Sequence, residues 1–259
     1  MYNTILAETS DGVLKITLNR PDVYNAFNAE MLEELHDAFG KPAEDETVRC
    51  IILTGAGKAF CSGQDLKDFN EKKLTFKEAL EQRYNPLIKR ITGLPKPVVC
   101  SINGVAAGAG LSLALACDYR IAVESATLIE VFINVGLVPD SGSSFFLPRI
   151  VGYAKAFEMC VNADKITAAE AKKLGLVNKV VSTQRILEKC SKITAAGFAA
   201  KPTKAVGMIK ALLKRSFDSS LDEILSLEGE FQDAAGNTED FKEGIASFLG
   251  KRKSQFSGR

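Results

Sequence analysis

The chain has 259 residues, and 46% of them are hydrophobic, enough for one or two domains with a substantial core. Its 33 basic and 32 acidic residues leave a formal net charge of +1, which argues against a protein that binds nucleic acid or a membrane surface. The six cysteines form no CxxC pair, as is typical of reduced thiols. Neither a secretory signal nor a long uncharged apolar span is found, so we expect a soluble cytoplasmic protein.

Strand-like and helix-like segments alternate through the first two-thirds of the chain. In chain order the predicted elements are a strand at 13–18, a helix opening at Asn28, a strand at 48–53, a helix at about 76–91, a strand at 97–102, a helix at about 108–117 and a strand at 119–123. The helix at Asn28 carries Leu32, Leu35 and Phe39 on one face, with Asn28 as its N-cap. Repeated strand–helix units predict an α/β fold with a mostly parallel sheet.

The last third of the chain has a different pattern. From about residue 183 onward only helical spacing is found, and each predicted helix has an apolar face. We therefore divide the chain into a core region, 1–200, and a C-terminal helical region, 201–259. The apolar faces favour either packing on another subunit or folding back on the chain's own core, and the pattern alone does not distinguish the two.

Two glycine-rich segments, 60–66 and 103–110, each follow a predicted buried strand. Small residues after a strand allow a backbone N–H to approach a ligand with no side chain in the way. Two such N–H groups that converge on one point would form an oxyanion hole for a carbonyl that gains negative charge. The alternative for either segment alone is an ordinary glycine turn.

Elimination narrows the chemistry. His36 is the single histidine and lies beside the apolar face of the first helix, so neither a Ser–His–Asp triad nor a histidine-based metal site is expected. A cysteine nucleophile would have no histidine base. The segment 108–110 lacks the spacing of a dinucleotide-binding loop. Carboxylates and backbone amides remain as the candidate catalytic groups.

Asp140 is the outstanding carboxylate, because it stands between the apolar runs 128–138 and 145–147. An aspartate in such surroundings is partly desolvated, which raises its pKa and makes it a better proton acceptor. The alternative is an N-cap for a helix starting at Ser141. Glu124 and Glu130 carry less weight because they flank a polar turn and a strand, and Asp118 is interpreted as a turn residue.

Several motifs together resemble the crotonase (enoyl-CoA hydratase/isomerase) superfamily across nearly the whole chain. The motifs are Leu18-Asn19-Arg20-Pro21 with Asn25-Ala26-Phe27, Ile52-Leu53-Thr54-Gly55, both glycine-rich segments, Ala116-Cys117-Asp118 and Ile166-Thr167-Ala168-Ala169-Glu170-Ala171. The resemblance implies a β-spiral core that binds acyl-CoA thioesters and a C-terminal helical region that assembles trimers or dimers of trimers. It implies no cofactor beyond the coenzyme A of the substrate.

The resemblance also assigns site residues. The oxyanion-hole amides fall at Gln64 and Ala109, which are flanked by Gly63 and Gly108. The backbone of Cys61 and Ser62 would contact adenine, and Phe248 and Lys251 would reach the CoA of an adjacent subunit. Further contacts with the pantetheine and phosphates are expected along Gln64, Asp65, Leu66 and Lys67.

The departures from the family pattern indicate the reaction. Enoyl-CoA hydratases use two glutamates, and this sequence has Ser112 and Phe132 at their positions, with Phe132 expected in the substrate site. Isomerase-type members carry an acid at the Asp140 position. We therefore expect an isomerase with one aspartate base, acting on 1,2-epoxyphenylacetyl-CoA, on Δ3-enoyl-CoA, or on both.

Other readings of the same pattern are a non-catalytic CoA-binding module and residual hydratase activity. A dehalogenase is disfavoured because the chain has no tryptophan and its histidine lies in the wrong segment. The acyl group is expected to depend on the segment 68–84, which would shape the acyl pocket.

Overall fold

The computed structural model describes residues 2–67 and 74–259. Its strands are β1 (Ile5–Ser10), β2 (Val13–Leu18), β3 (Cys50–Gly55), β4 (Ala59–Cys61), β5 (Val98–Ile102), β6 (Val105–Ala107), β7 (Tyr119–Val123), β8 (Thr127–Ile129), β9 (Ile166–Thr167) and β10 (Lys179–Val181). Its α-helices are α1 (Ala29–Glu44), α2 (Phe76–Ala79), α3 (Asn85–Gly93), α4 (Ala109–Leu115), α5 (Ser143–Val151), α6 (Tyr153–Asn162), α7 (Ala168–Lys173), α8 (Gln184–Ala199), α9 (Thr203–Arg215), α10 (Leu221–Gly236) and α11 (Glu239–Leu249).

The strands form two sheets. The larger has the order β1-β2-β3-β5-β7-β10, and all its neighbouring pairs except β1 with β2 are parallel. All five residues of β5 are buried, because helices cover parallel sheets on both faces. The predicted α/β fold with a mostly parallel sheet is confirmed, and the four strands predicted from the sequence all lie in this sheet.

The smaller sheet places the two glycine-rich segments side by side. Its order is β4-β6-β8-β9, and β4 pairs with β6 in parallel. The segment 60–66 begins within β4, and the segment 103–110 contains β6; both extend beyond the end of their strand. Since parallel strands end at the same edge of a sheet, the chain leaves both strands close together. The three-residue strands of this sheet were not predicted.

The first helix follows the sequence prediction. The Asn28 side chain accepts a hydrogen bond of 2.9 Å from the Met31 N–H, and α1 buries Leu32, Leu35 and Phe39. The helix predicted over 76–91 is present but not uniform. A five-residue π-helical turn, Leu80–Tyr84, separates α2 from α3.

The C-terminal third is helical, as predicted, and α9 is fastened to the core. The Lys210 ammonium group lies 2.7 Å from the Asp118 carboxylate and donates to the carbonyls of Ile91 and Lys96. None of the described helices combines the length and apolar character needed to cross a membrane. All six cysteine thiols are free, and all but the half-buried Cys160 are buried.

The residues after α11 return to the core as a tail. The buried Asp240 carboxylate accepts hydrogen bonds from the backbone N–H groups of Ser257 (2.6 Å) and Gly258 (2.9 Å). The Arg49 guanidinium donates to the Phe256 carbonyl (2.7 Å) and to the Thr203 hydroxyl (2.9 Å). One arginine of the core thus holds both the start of α9 and the tail.

Candidate active site

Two backbone N–H groups are available where the glycine-rich segments meet. The Phe27 N–H donates to the Gly63 carbonyl (2.8 Å) and the Asp65 N–H donates to the Phe27 carbonyl (2.9 Å), which leaves the intervening Gln64 N–H outside this ladder. Ala109 is the first residue of α4, so its N–H has no partner within the helix. Neither N–H has a hydrogen-bond acceptor within residues 2–67 and 74–259.

Glycine is required on both sides of this point. Gly63 has a φ of +98° and Gly108 a φ of +51°, values that side chains rarely tolerate. A Cβ on Gly63 would lie 2.9 Å from the Ala107 carbonyl oxygen and 3.6 Å from the Ala109 nitrogen. A Cβ on Gly108 would lie 3.1 Å from Cγ2 of Val131. The arrangement therefore has the close backbone approach that an oxyanion hole needs.

Asp140 lies in a turn that is tied to the same helix. Its carbonyl oxygen accepts hydrogen bonds from the Ser112 hydroxyl (3.0 Å) and from the Ser143 N–H (2.9 Å). The Ser112 hydroxyl also contacts the Gly108 carbonyl oxygen (3.2 Å), so one buried serine bridges the aspartate turn and the glycine-rich segment. Burial raises the pKa of the Asp140 carboxyl, and a 2.8 Å hydrogen bond from the Ser141 hydroxyl opposes that rise.

The structure rejects the helix-cap alternative for Asp140. Helix α5 begins at Ser143, and its N-cap is Gly142, with no side-chain hydrogen bond to the helix. Ser141 has a φ of +51°, a rarely populated backbone conformation for a serine. Asp140 caps no helix, and its half-buried carboxylate is available for chemistry.

The two positions where hydratases carry glutamates are occupied differently. Ser112 is fully buried and serves the bridge just described. Phe132 is 7% exposed, and its Cζ would lie 3.7 Å from a Cβ on Gly108. An aromatic ring therefore lines the site beside the candidate oxyanion hole.

Glu130 is a buried acid that the residue pattern did not predict as part of the site. It is 1% exposed, and its Oε1 accepts a hydrogen bond of 2.6 Å from the Ser143 hydroxyl. Burial, assisted by the charge of Asp140, raises the pKa of Glu130 to about 7. The available sequence signal was its position within the apolar stretch 128–138, because a glutamate surrounded by apolar residues is expected to be buried with them.

We expect Glu130 to make stability fall as pH rises. A carboxyl whose folded pKa is raised from 4.5 to about 7 keeps its proton in the folded state while the unfolded chain loses it. The folded state therefore loses stability between about pH 4.5 and 7, by on the order of 3 kcal/mol in all. Urea denaturation at pH 5 and pH 8 should show that the free energy of unfolding of Glu130→Gln increases relative to that of the wild type as pH rises. Glu158→Gln, at an exposed glutamate, is the control, and a pH-independent difference between Glu130→Gln and the wild type would contradict the expectation.

The residues expected to contact the pantetheine and phosphates are partly engaged in the protein's own contacts. The Asp65 carboxylate lies 3.0 Å from the Arg20 guanidinium. The Gln64 side chain accepts a hydrogen bond from the buried Tyr84 hydroxyl and donates to the carbonyls of Phe27 and Asp65. Among the described residues the Gln64 side chain is therefore engaged, whereas its backbone N–H has no acceptor.

The remaining predicted contacts differ in accessibility. Cys61 is fully buried, with a thiol pKa raised to about 12 by burial, so Ser62 is the more accessible of the two residues assigned to adenine. Leu66 is exposed, as is Lys67. Phe248 is 81% exposed at the end of α11, and Lys251 is exposed just beyond it. The residues that the structure brings together are Gly63, Gln64, Gly108, Ala109, Phe132 and Asp140.

The segment expected to shape the acyl pocket lies partly outside the described residues, which omit 68–73. Its described end is the π-helical turn that buries Tyr84. The Tyr84 ring packs edge-on against Phe27 with 6.0 Å between the ring centroids. This end of the segment therefore contacts Phe27, the residue that forms a β-bridge with Gln64.

Comparison with known proteins identifies the family to which this site belongs. The chain belongs to the enoyl-CoA hydratase/isomerase family, whose sequence profile matches residues 8–259. It has the crotonase fold and is a CoA-thioester isomerase or hydratase; the family acts on acyl-CoA substrates.

Individual relatives extend over the whole chain. It is 39% identical to the 1,2-epoxyphenylacetyl-CoA isomerase of Escherichia coli, with 100% of each chain covered. It is 42% identical to a "probable enoyl-CoA hydratase" of Rhodobacter capsulatus, covering 100% of this chain and 99% of that protein. The crystal structure of an enoyl-CoA hydratase from Bacillus anthracis matches with a TM-score of 0.92 at 33% identity, covering 99% of this chain and 100% of that chain.

Proposed function

We propose that the protein isomerises CoA thioesters by moving a proton with Asp140 while two backbone amides hold the thioester oxygen. The observation that carries the proposal is the Ser112 bridge, which fixes the turn of the half-buried Asp140 carboxylate to the helix that begins with the Ala109 N–H. Enolate formation requires a base and an oxyanion hole in fixed positions relative to each other.

The reaction is proposed in two steps. The Asp140 carboxylate removes a proton from C2 of the thioester, and the Gln64 and Ala109 N–H groups stabilise the enolate oxygen. The protonated Asp140 then returns the proton further along the acyl chain. Because one base serves both carbons, no second glutamate is needed, and the reaction uses no cofactor beyond the coenzyme A of the substrate.

Two acyl groups are candidates. The likeness to the Escherichia coli isomerase supports a 1,2-epoxyphenylacetyl thioester. Its oxepin product would require, besides the proton transfer, that the ring carbon–carbon bond bridged by the epoxide oxygen opens. A Δ3-enoyl thioester needs the same proton removal at C2. The buried Phe132 ring supports either, since it replaces a water-activating glutamate with an apolar surface.

The test is a comparison of three substrates with the purified protein. We expect 3-enoyl-CoA to become conjugated 2-enoyl-CoA, which absorbance would detect. We expect 1,2-epoxyphenylacetyl-CoA to be converted to its oxepin isomer, which chromatography would detect as a product of unchanged mass. Crotonyl-CoA should be hydrated slowly if at all. Rapid hydration without isomerisation of either substrate would contradict the proposal, and no turnover with retained CoA binding would indicate a binding module.

We further propose that the protein assembles as a trimer or a dimer of trimers through its C-terminal helices. Their surfaces carry large exposed hydrophobic side chains. On these helices and in the turn between α9 and α10, they include Ile209, Leu213, Phe217, Leu221, Leu225, Phe241, Ile245, Phe248 and Leu249.

Removal of residues 241–259 should weaken both assembly and CoA binding. The deletion takes away the apolar face of α11 together with Lys251, a cation able to approach phosphate. Light scattering should show a smaller particle, and titration with CoA a weaker affinity. Lys253→Ser, at a neighbouring exposed lysine, is the control. Unchanged mass and affinity after the deletion would contradict the proposal.

A further inference from the structure

Glu130 has no role in the proposed reaction, although it is a buried acid close to the base. Its Oε1 accepts the hydrogen bond from the Ser143 hydroxyl, at 2.6 Å. Its Oε2 has no hydrogen-bond partner in the described part of the chain, and no other buried side-chain nitrogen or oxygen atom there shares this condition. A buried carboxyl oxygen without a partner is costly, so such a group calls for an explanation.

Glu130 connects to Asp140 through one residue. Ser143 donates a hydrogen bond to each acid: its N–H donates to the Asp140 carbonyl, and its hydroxyl donates to the Glu130 carboxyl. The Ser112 hydroxyl donates a second hydrogen bond to the same Asp140 carbonyl. The turn that presents the base is therefore held between α4 and the end of β8.

The charges around Glu130 leave its carboxyl without a neutralising cation among the described residues. Burial and then the negative charge of Asp140 raise the pKa of Glu130, and on α6 burial and then the charge of Glu130 raise the pKa of the Cys160 thiol. The charged residues of the helices packed nearby pair with each other at the surface: Lys155 lies 2.7 Å from Glu158 and 3.6 Å from Glu170.

We propose that Glu130 is a positioning residue for the Asp140 base, which holds the Asp140 turn through Ser143 and sets the strength of the base through its own proton. The proposal rests on the isomerase function proposed above. It gives Glu130 no contact with substrate.

The direction of the effect follows from the sign of the charges. Below neutrality Glu130 is protonated, and Asp140 ionises without a like charge beside it. When Glu130 loses its proton near pH 7, its negative charge makes Asp140 hold a proton more tightly, and so makes it a stronger base. The rate of proton removal from C2 should then rise once more, above the rise caused by ionisation of Asp140 itself.

The first experiment is the pH profile of kcat for 3-enoyl-CoA isomerisation. The wild type should show an upper step near neutral pH of roughly 3-fold to 10-fold, because a proton-transfer rate follows only part of a change in base strength. Glu130→Gln should keep the lower step and lose the upper one, with KM little changed. Glu158→Gln, the same change at an exposed glutamate, should keep both steps. An upper step that persists in Glu130→Gln would overturn the proposal.

The second experiment reads the two carboxyls without substrate. In protein labelled with carbon-13 at the glutamate carboxyl, the Glu130 resonance is the one missing from Glu130→Gln, and its titration midpoint can be followed by NMR. Asp140→Asn should lower that midpoint by removing a like charge, whereas Ser143→Ala should raise it by removing the hydrogen bond that favours the ionised form. An unchanged midpoint in Asp140→Asn would overturn the proposal. A lowered midpoint in a protein without isomerase activity would overturn the proposed function instead.

Discussion

Asp140→Asn should reduce isomerase turnover by roughly 100-fold to 10,000-fold while CoA binding is retained. The substitution keeps the shape of the side chain and removes its ability to accept a proton. The Asp140 backbone should stay in place, because its carbonyl is held by Ser112 and Ser143 rather than by its own side chain. The loss should therefore appear in kcat and not in the affinity for CoA.

The measurement is steady-state turnover of 3-enoyl-CoA together with calorimetric binding of CoA, both with the wild type in parallel. Asp118→Asn is a useful comparison, because Asp118 forms an ion pair with Lys210 and has no part in the proposed reaction. Retained turnover in a folded Asp140→Asn protein would remove Asp140 from the reaction and leave the family assignment intact.

Ala109→Val should lower turnover by about 100-fold or more, the cost of losing one oxyanion-hole donor. Ala109 is 4% exposed and is the first residue of a helix whose seven residues are all buried. A β-branched side chain there has no room without moving the backbone, and a moved backbone misdirects the N–H. Binding of CoA itself should change much less, because the proposed hole would hold the thioester oxygen and not the nucleotide.

Gly229→Ala is the matched control for adding methyl groups. A Cβ on this glycine of α10 would meet no atom within 4 Å, so activity and fold should be unaffected. Circular dichroism and thermal unfolding of Ala109→Val would separate a displaced amide from an unfolded protein. Near-normal turnover in folded Ala109→Val would exclude the Ala109 N–H as an oxyanion donor.

The larger sheet and the first helix were predictable because their signals are local. Asn28 is a helix cap by residue type, and Leu32, Leu35 and Phe39 share a face by spacing alone. The short strands β4 and β6 carry no such periodicity, since three residues cannot show one. They form because tertiary contacts bring the two segments together, and not because of their own sequence pattern.

The candidate site was predictable in its parts and not in its connections. Asp140 and the two glycine-rich segments stand out by residue type, but the Ser112 bridge joins residues 28 positions apart. The residue pattern marks Ser112 as the place of a missing glutamate, and nothing in it indicates the contact with Asp140. Glu130 was given little weight because the apolar stretch around it was divided between a strand and a turn, whereas its side chain points into the protein and meets Ser143.

The fastening of the tail to Asp240 has a consequence for hydrogen exchange. Chain ends normally fray, and their amides exchange with solvent within the dead time of most measurements. The N–H groups of Ser257 and Gly258 are instead bonded to a buried carboxylate, and the Asp240 N–H is bonded in return to the Arg259 carbonyl. We expect these last amides to exchange as slowly as those of α11, so that their loss of protection would be an early sign that the tail is detaching from α11.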